Sequence, residues 1–144
     1  MGVMDKLKFH VWDNVGAIVD VVKKWKPRDC TSEKDYENSL LRKLKKHFPG
    51  LEIVQQYECA GVRGDILVGD KVLIEIKTDL KSTTMLMGQL MRYKQKWRGR
   101  ILVLLTGNTK PSILKELEEF VDREGLGSGL LAVDWEGKVT IFKK

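Results

Sequence analysis

At 144 residues, with 42% apolar and 32% charged side chains, the chain has the length and composition of one globular domain with a hydrophobic core. No apolar run reaches the roughly 18 residues of a membrane span, and the first residues, MGVMDKLKFH, lack the apolar stretch of a signal peptide. A net charge of +6 and a pI near 9.3 suit a polyanionic partner without naming one.

Residues 5–25 read as an amphipathic helix, with Val11, Val15, Ile18, Val22 and Trp25 at helical spacing and Pro27 closing it. Lys23, Lys24, Lys26 and Arg28 cluster at its end, either as a solvated terminus or as a phosphate contact. Thr31-Ser32 offers an N-cap for a second helix over about 32–48, ended by Pro49-Gly50. Three short strands follow near 51–58, 63–69 and 72–78. A third helix covers 84–97, ILVLL at 101–105 reads as a buried strand, and Pro111 opens a helix over 111–123. Residues 130–134 and 138–142 form a closing hairpin. The order is α, then α-β-β-β-α-β, then α-β-β: a single α/β domain over 1–144, with one mixed sheet flanked by helices. Cys30 and Cys59 lack metal-ligand spacing and read as reduced, partly buried thiols of a cytoplasmic protein.

The stretch GVRGDILVGDKVLIEIKTDL, Gly61 to Leu80, places Asp65, Glu75 and Lys77 inside two apolar strands. Side chains alternate along a strand, so the turn sets every facing. A three-residue turn at Gly69-Asp70-Lys71 sets Val68 opposite Val72. It gathers Ile66, Val68, Val72, Ile74 and Ile76 on one apolar face and sets Asp65 opposite Glu75 on the other, with Leu67, Leu73 and Lys77. A two-residue turn mixes both faces. Two opposed carboxylates repel by up to about 1 kcal/mol, and by more when desolvated. A divalent cation between them relieves that repulsion, and Mg²⁺, which favours carboxylate, phosphate and water oxygens, suits the position. The competing reading is a surface ion pair of Lys77 with either acid.

On the helix over 32–48, Glu37 falls inside the stripe of Tyr36, Leu40, Leu41, Leu44 and Phe48. A core-facing acid is costly unless paired or metal-bound. Glu37 either points at the same pocket as Asp65 and Glu75, or snorkels near the helix start. On the third helix Gln89 and Tyr93 lie one turn apart, with Arg92 and Lys96 further round. Such a face can hold a phosphodiester backbone, or it is a core tyrosine beside a solvated basic face.

Asp65, followed ten residues on by Glu75-Ile76-Lys77, resembles the signature of the PD-(D/E)XK nuclease superfamily, and the helix carrying Glu37 fits its α-β-β-β-α-β core. Gly61-Val62-Arg63-Gly64-Asp65 is similar to the GhxxD motif, and Gln89-Leu90-Met91-Arg92-Tyr93 to QxxxY, both of the RecB-like branch. The resemblance spans about residues 32–106, leaving the first helix and the C-terminal α-β-β as extensions. Gly64 stands where the superfamily's name has Pro. The resemblance implies a restriction-endonuclease-like fold and metal-dependent hydrolysis of DNA, acting on single strands, ends or branches in replication, recombination or repair. Asp65, Glu75 and the carbonyl of Ile76 would bind Mg²⁺ or Mn²⁺, with Glu37 as a ligand directly or through water. Lys77 would position water or stabilise developing charge. Gln89, Tyr93, Arg92 and Lys96 would hold the DNA or brace the site. The implied partners are DNA, a second copy of the chain, and a helicase or other DNA-processing factor. Two alternatives share the fold: a non-catalytic nucleic-acid-binding or assembly module, and a dimeric Holliday junction resolvase using the first helix as dimer surface. His10 and His47 read as structural.

Overall fold

The computed structural model describes residues 15–125, 129–133 and 139–143. Its helices are α1 (Val15–Lys24), α2 (Glu33–His47), α3 (Thr84–Lys96) and α4 (Pro111–Arg123). Its strands are β1 (Ile53–Cys59), β2 (Val62–Val68), β3 (Val72–Thr78), β4 (Arg100–Thr106), β5 (Gly129–Val133) and β6 (Val139–Lys143). Residues 5–14 of the expected first helix, His10 and Val11 among them, lie outside the described residues, as does the turn between β5 and β6.

The strands pair in sequence order as one mixed sheet. The β1–β2, β2–β3 and β5–β6 pairs are antiparallel, while β3–β4 and β4–β5 are parallel. β4 is buried along Ile101–Thr106, as a central parallel strand must be when helices cover both faces.

Each face carries its own core. On one, α1 and α2 pack against Ile66, Val68, Val72, Ile74, Ile76, Leu102 and Leu104. On the other, α3 and α4 pack against Leu67, Leu73, Ile101, Val103 and Leu105. The apolar side of α1, Val15, Ile18, Val19 and Val22, is buried within the first of these cores, and the Trp25 indole N–H donates to Ser39 Oγ at 2.9 Å. Burying each such side chain stabilises the fold by roughly 1.5–3 kcal/mol. Over its described residues this stripe is therefore spent inside the domain. Cys30 is half-buried, whereas Cys59, expected to be partly buried, is exposed beside the β1–β2 turn.

α2 starts as its sequence dictates. Ser32 accepts from the Asp35 backbone N–H, and the Asp35 carboxylate accepts from the Ser32 N–H, closing a capping box. Between β2 and β3 the register is Val68 opposite Val72 and Leu67 opposite Leu73, around a turn with Gly69 at φ 58° and Asp70 at φ 56°. This is the three-residue turn that separates the apolar and charged faces.

Candidate active site

The β2–β3 ladder runs from Val68–Val72 to Ile66–Ile74 and stops there. One residue further on, the Asp65 carboxylate takes the place of a strand: its Oδ2 accepts the Ile76 backbone N–H at 2.6 Å. Asp65 therefore lies in the gap between the two strands, not on the Leu67 and Leu73 face where simple alternation puts it. The cause is a break in alternation. Gln56, opposite Asp65, has φ 55°, a left-handed conformation that is uncommon for a residue with a Cβ. Ile53 packs under α2, whereas Val54 and Tyr57, three positions apart, share the opposite core. On β2, Val62 and Ile66 belong to opposite cores although a regular strand would align them.

This irregularity lets groups from both layers meet. The surrounding cavity, about 480 Å³, is lined by Glu37 from α2, Gln56 from β1, Arg63, Gly64 and Asp65 from β2, Glu75 and Lys77 from β3, and Gln89 from α3. Lys77 Nζ pairs with Glu75 Oε1 at 3.2 Å. The other Glu75 oxygen accepts from the Tyr93 hydroxyl at 3.1 Å, and that hydroxyl also meets the Arg63 carbonyl. Tyr93 is buried and braces Glu75.

Glu37 is buried inside the apolar stripe of α2, as its spacing implied, and does not snorkel. Three side chains hold it: Lys34 Nζ at 2.9 Å and Gln55 Nε2 on Oε2, and Gln56 Nε2 at 2.6 Å on Oε1. Gln56 Nε2 also lies 3.4 Å from Asp65 Oδ1 and links the two acids. Sequence alternation missed the two glutamines, because adjacent strand residues normally face opposite ways. The left-handed Gln56 turns both toward Glu37.

Burial raises the Asp65 carboxyl to about 6, with the Ile76 N–H pulling it down and the Glu37 charge pushing it up. Burial raises Glu75 to about 7, reinforced by the Asp65 charge and opposed by Lys77. Tyr93 is shifted upward by burial and by the Glu75 charge.

Gly64 explains its own identity. A Cβ there would lie 2.4 Å from Leu73 Cδ1, so any other side chain displaces Leu73. Arg92 and Lys96, expected to hold DNA from further round the helix, do not line the carboxylate cavity. Arg92 is exposed on α3, and Lys96 reaches the Ala60-Gly61 turn, where a Cβ on Gly61 would sit 2.9 Å from its Nζ. His47 stacks edge-on against Phe48 and stands apart from the cavity.

Among the described residues, no three of His, Cys, Asp and Glu converge as a ready-made metal cage. The donor chemistry nevertheless fits a hard divalent cation. Two carboxylates are held close with raised affinity for positive charge, and the Gln89 side-chain oxygen is buried beside them without a hydrogen-bond partner. Both Glu37 oxygens are already engaged by N–H donors, which suits contact through water better than direct ligation.

No family model and no curated protein matches the chain. Among solved structures it is similar to one described as a CdiA-CT/CdiI toxin and immunity complex from Burkholderia pseudomallei. That match has 17% identity and a TM-score of 0.39, covering 83% of this chain and 96% of the other, a likeness too low to carry an argument. Among the described residues, no helix is long and apolar enough to cross a membrane.

Proposed function

We propose that the chain is a metal-dependent nuclease that hydrolyses phosphodiester bonds of DNA, on a restriction-endonuclease-like core. The observation that supports this most is the pair of a half-buried Asp65 and a buried Glu75 at the open end of the β2–β3 ladder, with Lys77 on Glu75. A purely structural carboxylate pair would cost stability that Lys77, paired with Glu75, offsets only in part.

Asp65 and Glu75 would hold Mg²⁺ or Mn²⁺, with the Ile76 carbonyl beside them, since the N–H and C=O of one strand residue point the same way. When bound, the ion supplies Lewis-acid polarisation of a phosphoryl oxygen and lowers the pKa of water. The remaining work falls to the chain. Tyr93 and Lys77 orient the Glu75 carboxylate, and the Ile76 N–H and Gln56 orient that of Asp65. Lys77, half-exposed at the cavity wall, lies within reach of an attacking water or of the charge that develops on the phosphate. Glu37, fixed by Gln55 and Gln56, supplies the outer negative charge that favours a cation at Asp65.

The test is incubation of labelled linear, circular, flapped and four-way DNA with and without Mg²⁺, alongside Lys77→Ala. Cleavage that requires the metal and collapses in the variant supports the reading. Absence of cleavage on every substrate replaces it with a non-catalytic nucleic-acid-binding module.

A further inference from the structure

A second concavity, about 790 Å³, opens on the α3 face beside the β1–β2 turn, separate from the carboxylate cavity. Val62 lines it, and its chain neighbours Arg63 and Gly64 line the carboxylate cavity, so β2 forms the wall between them. Five cationic side chains border it, Lys71, Lys94, Lys96, Arg98 and Arg100, against one acid, Asp70. Its aromatic members are the buried Tyr93 and the half-buried Tyr57 and Trp97, the last two with ring centroids 5.9 Å apart and planes at 64°. A third hollow of about 650 Å³ shares Tyr57, Trp97, Asp70 and Lys71 with it, so the two rings stand as a ridge bordering both hollows.

The ridge is fixed in place. Trp97 Nε1 donates to the Arg100 carbonyl at 3.0 Å, and the Arg100 N–H donates to the Lys71 carbonyl at 2.8 Å. Gly99 lets this loop lie flat, because a Cβ there would come 2.2 Å from the Lys71 carbonyl oxygen and about 3 Å from the Trp97 ring. The indole is thus held before any ligand arrives, which lowers the ordering cost of binding.

We infer that this groove is a track for a single-stranded nucleic acid beside the carboxylate cavity, across the β2 wall from it, with an unpaired base against Trp97 and Tyr57 and the phosphates on Lys96, Arg98 and their cationic neighbours. Aromatic platforms inside a cationic groove bind single strands, because a base within a duplex has both faces stacked and cannot reach them. The inference deepens the nuclease reading by naming its substrate as an unpaired strand.

The test uses the full chain in EDTA, where binding is read without cleavage, and a fluorescein-labelled thymidine 12-mer as probe. Lys96→Glu with Arg98→Glu reverses two exposed charges away from Asp65 and Glu75. The expected result is at least a tenfold loss of affinity. The slope of log affinity against log salt should become shallower by about 1.4, two phosphate contacts at roughly 0.7 each. Trp97→Phe, which keeps a ring, should bind more tightly than Trp97→Leu, with both variants checked by circular dichroism. Unchanged affinity and slope in the charge-reversed protein, or equal losses for the 12-mer and a 12-base-pair duplex, would overturn the inference. The nuclease reading is judged separately: loss of strand binding in EDTA does not depend on catalysis, and failed cleavage leaves the binding result standing.

Discussion

Replacing Asp65 by Asn should make the metal-free protein more stable at pH 8. The folded carboxyl titrates near 6, above its ordinary value of 3.8, so the folded state keeps this proton longer than the unfolded state does. For a raised acid the sign is fixed. Stability is full below about pH 4 and falls as pH rises through 6, because ionisation is easier once the chain unfolds. At about 1.4 kcal/mol per pKa unit, the penalty removed by the substitution is about 3 kcal/mol at pH 8 and about half that at pH 5. These are upper figures, because solvent screens part of Asp65 and it titrates together with Glu75. Asn keeps an acceptor for the Ile76 N–H, so the hydrogen bond at the open ladder end survives. Glu75, now without the Asp65 charge, should titrate below about 7. Urea unfolding in EDTA at pH 4, 5 and 8 measures the first effect, and carboxyl NMR titration the second. A variant less stable than the parent at pH 8, or a gain that does not change with pH, would refute the reasoning.

Mg²⁺ at ten times its dissociation constant should stabilise the parent by about 1.4 kcal/mol at pH 8 and much less at pH 5, where the carboxyls hold protons. A thermal melt that ignores Mg²⁺ at pH 8 contradicts this. Tyr93→Phe removes a hydrogen bond that favours ionised Glu75, so the acidic limb of the pH–rate profile should move to higher pH; an unmoved limb separates Tyr93 from Glu75. Gly64→Ala should cost about 1–3 kcal/mol through overpacking, and a smaller amount in a Leu73→Ala background, which a double-mutant cycle of urea midpoints reads directly. Ala60 has φ 53° beside Gly61 at φ 82°, so Ala60→Asn, which tolerates that conformation, should stabilise the chain by about 0.5–1 kcal/mol in the same denaturation assay.

Much of this arrangement was legible because it follows from periodicity. The alternating Ile66, Val68, Val72, Ile74 and Ile76 admit one register that buries them together, and β2 and β3 adopt it. Glu37 stood out as an acid on an apolar stripe, and it is buried there. Periodicity could not show a residue that breaks it. A left-handed Gln56 has no residue-type signature such as Gly or Asn, so neither the paired turning of Gln55 and Gln56 nor the in-plane Asp65 could be read from alternation. The consecutive Gln55-Gln56 between the apolar Ile53-Val54 and Tyr57 was the available signal. Position around a helix gave Lys96 a direction, but the β1–β2 turn that receives its ammonium comes from elsewhere in the chain.

The central claim is that Asp65 and Glu75 form a metal-dependent phosphodiester hydrolysis site. Single-turnover cleavage of end-labelled single-stranded DNA at pH 8, with Mg²⁺ titrated against the parent chain and Asp65→Ala, tests it most directly. Cleavage should rise with Mg²⁺ in the parent, stop in EDTA, and fall by at least about a hundredfold in the variant. Equal cleavage by the two proteins, or cleavage by the parent that persists in EDTA, would contradict it.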